Sequence, residues 1–66
     1  MKNTIKIQRA THNITQAELA EKIQVSRQTI NAIELGKYVP STILALRMAR
    51  VFGVPVEEIF QLEECD

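Results

Sequence analysis

The sequence predicts an all-α domain of five short helices, and three observations carry that prediction. Apolar residues recur at helical spacing through most of the 66 residues, Thr and Ser stand as openers before those runs, and only two Gly and two Pro interrupt them. With 45% hydrophobic and 24% charged residues, the composition is that of an ordinary globular domain. A chain of this length buries only roughly 60% of the surface its unfolded form exposes. Self-association to bury more is therefore expected.

The first helix is read from Asn3 or Thr4, either of which suits the N-cap, to Thr11, with Asn13 as the stop. Alternation of Ile5 and Ile7 leaves a short N-terminal strand open as an alternative entry. The second helix begins at Thr15, because Thr15-Gln16-Ala17-Glu18 is a capping box and Ile14 precedes it as a staple. At 100° per residue, Ala17, Leu19, Ala20 and Ile23 form one stripe, with Glu18, Glu21 and Lys22 opposite. Gln24-Val25 breaks the pattern and Ser26 caps a third helix, which Gly36 stops. Ser41 or Thr42 opens the fourth helix, running to Phe52 and closed by Gly53. Pro55 suits the first turn of a fifth, Pro55–Phe60, whose Glu57 and Glu58 complement its dipole. Residues 61–66 form a short acidic tail, read as extended, on a single domain spanning 1–66.

The charge is zero overall but segregated. All eight basic residues lie in Met1–Arg50 against three glutamates, whereas the last sixteen residues hold five acidic groups and no Lys or Arg. Such a chain presents a cationic face to an anionic partner while its other end stays acidic. The lone Cys65 has no partner for an internal disulfide, which fits a reducing compartment. No apolar run approaches the roughly 20 residues of a membrane span, and the N-terminus lacks the pattern of a secretory leader. A cytoplasmic protein without membrane attachment is expected. His12 has no second ligand at metal spacing, and the acidic pairs have no nucleophilic or basic neighbour. Neither an enzyme, a metal site nor a cofactor is expected.

The stretch VSRQTINAIELGKY, Val25 to Tyr38, carries the functional content. A helix that only covers a core is usually given Glu, Lys and Ala on its surface; this one places Arg27, Gln28, Thr29 and Asn31 in its first two turns. Helices two and three are short, tightly joined and narrowly striped, with Ala20 small enough for a close crossing. That layout lets the first of the pair brace the second and present it outward. Ile30 and Ile33 mark the inward face of helix three, and Gln28, Asn31 and Ala32 lie opposite with Arg27 at their flank. In the major groove of B-form DNA, Gln and Asn pair two bonds with adenine, Arg pairs two with guanine, and a small residue such as Ala32 touches a thymine methyl. Thr15, Gln16 and the free N–H groups opening helix two suit a phosphate. Lys37 and Tyr38 suit one on the other flank, and Thr29 is assigned to the backbone with them. Glu34 falls near the inward edge, where a carboxylate needs a partner, and Arg9 is the cation nominated.

These residues carry a resemblance. The run TQAELAEKIQVSRQTINAIELGKYVPS resembles the helix-turn-helix core of the phage repressor and Cro type, often called the Xre family, and especially its compact bacterial regulators. The resemblance extends from about Ile5 to Phe60, and its most specific pieces are QAELAEKI, VSRQTI, the Glu34-x-Gly36-Lys37 turn and the LALRMARVFGVPVEEIF ending. It implies a lambda-repressor-like fold, with Gln16 on phosphate, Arg27, Gln28 and Asn31 facing bases or flanking phosphates, and Arg9–Glu34 as an internal ion pair. It also implies sequence-specific binding of double-stranded DNA, as a homodimer that represses transcription. Gln24 departs from the family's usual Gly, Gln8 from an apolar position, Ile43 from a charged one and Leu35 from Asn.

The C-terminal third is richer in apolar groups than a monomer core of this size needs. Leu44, Met48, Val51 and Phe52 form one side of the fourth helix. Ile43 and Leu46 lie at or beyond its edge, and Val54, Val56, Ile59, Phe60 and Leu62 follow. Either all of this is core, or part forms a twofold interface. The interface is favoured, through Ile43, Leu46, Val54, Ile59, Phe60 and Leu62, because a dimer sets two third helices roughly 34 Å apart, one turn of DNA. The competing function is an antitoxin-like interaction module that binds a partner protein through this end.

Overall fold

The computed structural model describes residues 1–66, folded as β1 (Lys2–Asn3), α1 (Ile5–His12), α2 (Gln16–Ile23), α3 (Arg27–Glu34), α4 (Thr42–Phe52), α5 (Val56–Ile59) and β2 (Phe60–Gln61). Five helices form the body, as expected, and a two-residue ribbon is added at their edge.

Each helix start has a local cause. Thr15 accepts the N–H of Glu18 at 3.0 Å and Glu18 returns the favour to the N–H of Thr15 at 3.0 Å, the reciprocal capping box. Ser26 accepts from Thr29, and Ser41 from Leu44. Substituting such caps costs typically about 1 kcal/mol each. α5, opened by Pro55, has no side-chain cap, and neither has α1, opened by Thr4. The Thr4 N–H donates instead to Ile59 O at 2.8 Å and its hydroxyl to Glu58 O, so the start of α1 is held by the end of α5.

The helix ends use left-handed residues. Asn13 (φ 55°), Gln24 (φ 63°) and Gly53 (φ 67°) close α1, α2 and α4. At Gln24 the strain of about 1–2 kcal/mol is offset by two bonds, the N–H of Gln24 to Glu21 O and that of Val25 to Ala20 O. α3 ends through Gly36 (φ 76°), with Lys37 N–H on Ala32 O at 2.9 Å, which turns the chain away from the helix axis.

The core is one cluster of Ile5, Leu19, Ala20, Ile23, Ile30, Ile33, Met48, Phe52, Ile59 and Phe60. Every helix contributes, and each large member contributes about 1.5–3 kcal/mol by leaving water. α2 packs on α3 and α4, and the nearly closed-off Ala20 allows that approach. Ala17, placed on the apolar stripe by its angle, is exposed. It belongs to the first turn of α2, ahead of the crossing.

The bounds of two helices differ from expectation. α1 is shifted to Ile5–His12 because the chain stays extended through Asn3. Its strand residues are Lys2 and Asn3, whereas Ile5 and Ile7 are helical. α5 is Val56–Ile59, with Pro55 outside as the N-cap and Phe60 already extended (φ −123°, ψ 130°). Phe60 leaves the helix because it pairs antiparallel with Asn3, while Gln61 pairs with Lys2. Two residues of ladder hold little by themselves. The Met1 ammonium adds ion pairs to Asp66 (2.8 Å) and Glu63 (3.0 Å).

Candidate nucleic-acid interface

α2 and α3 present α3 at the surface because their apolar stripes face each other and α4. Leu19 and Ile23 from one, Ile30 and Ile33 from the other, are buried. The opposite side of α3 is open. Arg27, Gln28 and Asn31 are exposed and Ala32 is half-buried beside them. A shallow groove lined by Gln16, Arg27, Gln28, Asn31, Ala32, Leu35 and Lys37 brings the expected base-facing set together with two flanking residues, and no carboxylate lines it. The side chains of Arg27 and Gln28 make no hydrogen bond within the protein, so both keep their full donor and acceptor capacity.

The flanking groups are less uniform. Thr15 is exposed; its oxygen accepts from Glu18 and its hydroxyl hydrogen stays free to donate. The N–H groups of Gln16 and Ala17, the first two of α2, have no partner in the protein. Lys37 and Tyr38 are exposed in the loop after α3. Thr29 is half-buried, with its hydroxyl 2.9 Å from Ser26 Oγ.

Behind the open face runs a chain of polar bonds. Arg9 grips Glu34 with two parallel contacts, Nε to Oε2 at 2.7 Å and Nη2 to Oε1 at 3.2 Å, and its Nη1 reaches Ile14 O at 3.3 Å. The side chains are only 16% and 9% exposed, so the fork joins α1 to α3 largely out of water. Gln16 extends it. Its Nε2 donates to Glu34 Oε1 and to Asn31 Oδ1, each at 3.2 Å. The Gln16 side chain thus faces into the protein as well as toward the groove.

Several contributors were not singled out from sequence. Lys6 lines a second groove that shares Gln16, Asn31 and Leu35 with the first. Its spacing of three from Arg9 on one helix was the available signal. Asn3 donates to Ile33 O (3.0 Å) and Glu34 O (3.4 Å), holding the C-terminal carbonyls of α3, while its Oδ1 accepts the N–H of Ile5. Arg47 donates to Ile23 O at 3.2 Å, which holds the end of α2.

The proposed interface residues divide. Ile43 and Leu46 are 62% and 56% exposed, Leu62 is exposed and Val54 half-buried. Ile59 and Phe60 are corrected: they are 0% and 8% exposed and belong to the monomer core, because the β-ribbon folds the end of α5 back onto α1. Only an edge of Phe60 reaches the surface, in an apolar groove with Met1, Val39, Ala45, Leu46 and Val56. His12 tilts over Phe52, ring centroids 5.4 Å apart, and its Nδ1 pairs with Gln8 O. Cys65 is exposed. No helix is long and apolar enough to cross a membrane.

With this geometry in hand, comparison with known proteins gives a consistent result. A family model described as helix-turn-helix matches residues 5–59. The chain is 58% identical, over 97% of both chains, to an uncharacterized HTH-type transcriptional regulator of Methanocaldococcus jannaschii. It is 47% identical, again over 97% of both, to one of Bacillus subtilis. A third, from Archaeoglobus fulgidus, is 48% identical over 97% of this chain and 90% of its own.

Proposed function

We propose that this chain, which belongs to the helix-turn-helix family of the phage repressor and Cro type, is a sequence-specific DNA-binding regulator that meets a pseudo-palindromic operator as a homodimer. The observation that carries the function is the unspent polar face of α3, where Arg27 and Gln28 have no partner in the protein although they crown a helix of major-groove width. Arg27, Gln28 and Asn31 face base edges, with Ala32 against a thymine methyl. Thr15, Lys37, Tyr38 and Thr29 contact the sugar-phosphate backbone. At the start of α2 the free N–H groups of Gln16 and Ala17 are the phosphate donors, since the Gln16 amide nitrogen is engaged with Glu34 and Asn31.

The longest dimension of the molecule is 31 Å, and it has one recognition helix. Reading two half-sites about 34 Å apart takes two copies. The exposed Leu46 and Val39 share an apolar groove that supplies a surface for the contact, and Ile43, Leu62 and the half-buried Val54 are the further apolar groups assigned to it. Occupying a promoter with such a dimer obstructs polymerase, so repression in the cytoplasm is the expected outcome. The same apolar groove fits the alternative, an antitoxin-like module that binds a partner protein there.

The test is titration of the protein against its own upstream DNA at several salt concentrations. The regulator predicts two protected half-sites one turn apart and an affinity that falls steeply with salt, about 0.9 log units per log unit for each phosphate neutralised. Salt-insensitive binding with no preferred fragment, together with tight capture of a second protein, overturns it in favour of the interaction module.

A further inference from the structure

We propose that a recess at the far end of α2 is an anion site for a diphosphate group, separate from the DNA-reading groove. Lys22 and Gln24 from the close of α2, with Arg47, Arg50 and Val51 from α4, line a space of about 210 Å³. None of the five borders the groove of α3 or the two that Lys6 lines. The recess lies one length of α2, about 12 Å for eight residues, from the N–H groups that open that helix. It stands apart from the DNA-binding function above.

Charge and partnering set the ligand class. Three cations converge there, and no carboxylate lines the wall. None of them is engaged in an ion pair, since the ion pairs of the molecule belong to Met1 and Arg9. Arg47 is fixed by one bond, Nη1 to Ile23 O at 3.2 Å, which leaves its other N–H donors open. Dipole compensation accounts for Lys22 and Arg50, each in the last turn of its helix. It does not require that they meet, and it leaves Gln24 unexplained.

Gln24 is the independent observation. It stands at φ 63°, where glycine would fit without strain, and its exposed side chain bonds nothing in the protein. The bonds that close the turn come from the backbone N–H groups of Gln24 and Val25, and glycine would make them equally. A strained turn and a like-charged pair three apart on one helix, Arg47 and Arg50, thus present donors to one small space. Local strain of this kind gathers where a ligand is held. An oxyanion offsets both costs, because it accepts from the Gln24 amide and neutralises the cations.

Size narrows the class. About 210 Å³ is below the roughly 300–1,000 Å³ of pockets that enclose a drug-sized molecule. The charged group enters, and whatever it is attached to stays in solvent. Three cations exceed what one phosphate, at about −1.5 to −2, neutralises; a diphosphate supplies the missing charge, with oxygens at both ends. Inorganic pyrophosphate and the diphosphate end of a nucleotide share that chemistry.

The experiment is titration of ¹⁵N-labelled protein, free of DNA, with sodium pyrophosphate, orthophosphate, ADP and AMP at one ionic strength. Pyrophosphate and ADP are expected to shift the amides of Lys22, Gln24, Arg47 and Arg50 and to leave those of Arg27 and Lys37 in place. Orthophosphate and AMP are expected to bind at least about tenfold more weakly, from the loss of one charge-assisted contact. Equal affinity for pyrophosphate and ADP makes the free ion sufficient, and tighter ADP names a nucleotide; either supports the site. Arg50→Gln and Lys22→Gln, at exposed positions, should each weaken pyrophosphate about tenfold at unchanged Tm. Gln24→Gly separates the site from the fold, because it relieves the left-handed strain and keeps the protein at least as stable, yet is expected to weaken pyrophosphate about fivefold.

Shifts centred on Arg27 and Lys37, one affinity for all four anions, or pyrophosphate binding that Arg50→Gln or Gln24→Gly leaves untouched overturns the proposal. So does a recess that responds to duplex DNA and not to pyrophosphate, which would make it a second DNA contact.

Discussion

Two faces of this molecule hold side chains that its interior does not use, and they differ in kind. The outward side of α3 carries Arg27, Gln28 and Asn31, groups that gain by trading water for another polar surface. The margin of α4 and the loop before it carries Val39, Ile43 and Leu46, groups that gain by losing water altogether. The first face is backed by a network of directional bonds, from Arg9 through Glu34 to Gln16. The second is backed by the close-packed Met48 and Phe52 on the same helix. Rigid placement serves a surface that must match a hydrogen-bond pattern, whereas an apolar surface needs chiefly area and shape. The molecule spends its scarce internal polar bonding on the former.

The largest effect should come from cutting the support of the polar face. Glu34→Ala leaves a largely buried guanidinium without its partner and is expected to cost about 3 kcal/mol or more. In a domain of this size that lowers Tm by on the order of 10–20 °C, as thermal unfolding by circular dichroism would read. An unchanged Tm would mean the polar face needs no internal support and would erase the contrast.

Next is the apolar face. Leu46→Asp puts a charge at the proposed twofold contact, and symmetry repeats it in both copies. The dimer dissociation constant is expected to rise at least about a hundredfold, from the loss of two buried Leu contacts of about 1.5–3 kcal/mol each. Monomer Tm should hold, because Leu46 is 56% exposed. Sedimentation equilibrium measures the first quantity. An unaltered association would move the contact elsewhere.

Smaller again is the division within the polar face. Arg27→Ala should weaken specific binding by about 1–3 kcal/mol while barely changing random-sequence binding, whereas Lys37→Ala should weaken both alike. Competition titrations with operator and random duplexes separate the two.

The smallest effect concerns the ribbon that joins the two ends. Its hydrogen bond from the Met1 ammonium holds the Asp66 carboxyl below its ordinary range, and hydrogen bonds to Asp66 and then Glu63 hold that ammonium above its own. The Asp66 contribution is present above the ordinary carboxylate range and is lost as pH falls through the lowered value. The ammonium contribution is complete below its ordinary value and is lost as pH rises through the raised one. Lower amide protection factors in β1 and β2 at both pH extremes, with those of the helices unchanged, are the expected result. Protection in the ribbon that is flat with pH would deny the clasp any role.

What the sequence disclosed and what it withheld divide along physical lines. Helices α2, α3 and α4 were legible because their starts are local: Thr15, Ser26 and Ser41 each bond a group three residues away. The turn after Ile23 was legible as a break at Gln24-Val25, but its left-handed conformation was not, since a glutamine there gives no sign of it. The ribbon was not, since two residues per strand carry no periodicity and their partners lie nearly the whole chain apart. That omission caused the misplacement of Ile59 and Phe60, because an apolar count cannot tell a residue folded inward by a strand from one left outside. At the site, the open face followed from helical angles alone. The bond from Gln16 to Asn31 did not, because it depends on a contact between two helices that neither helix pattern encodes.

Asn3 has a practical consequence. Its amide holds the last carbonyls of α3 from within a two-residue strand at the upstream end of the fold. Cargo joined ahead of Met1 would hang from that strand, remove the free ammonium and tug on the tip of α3. A purification handle or fluorophore belongs after Asp66, where the chain has already left the helices.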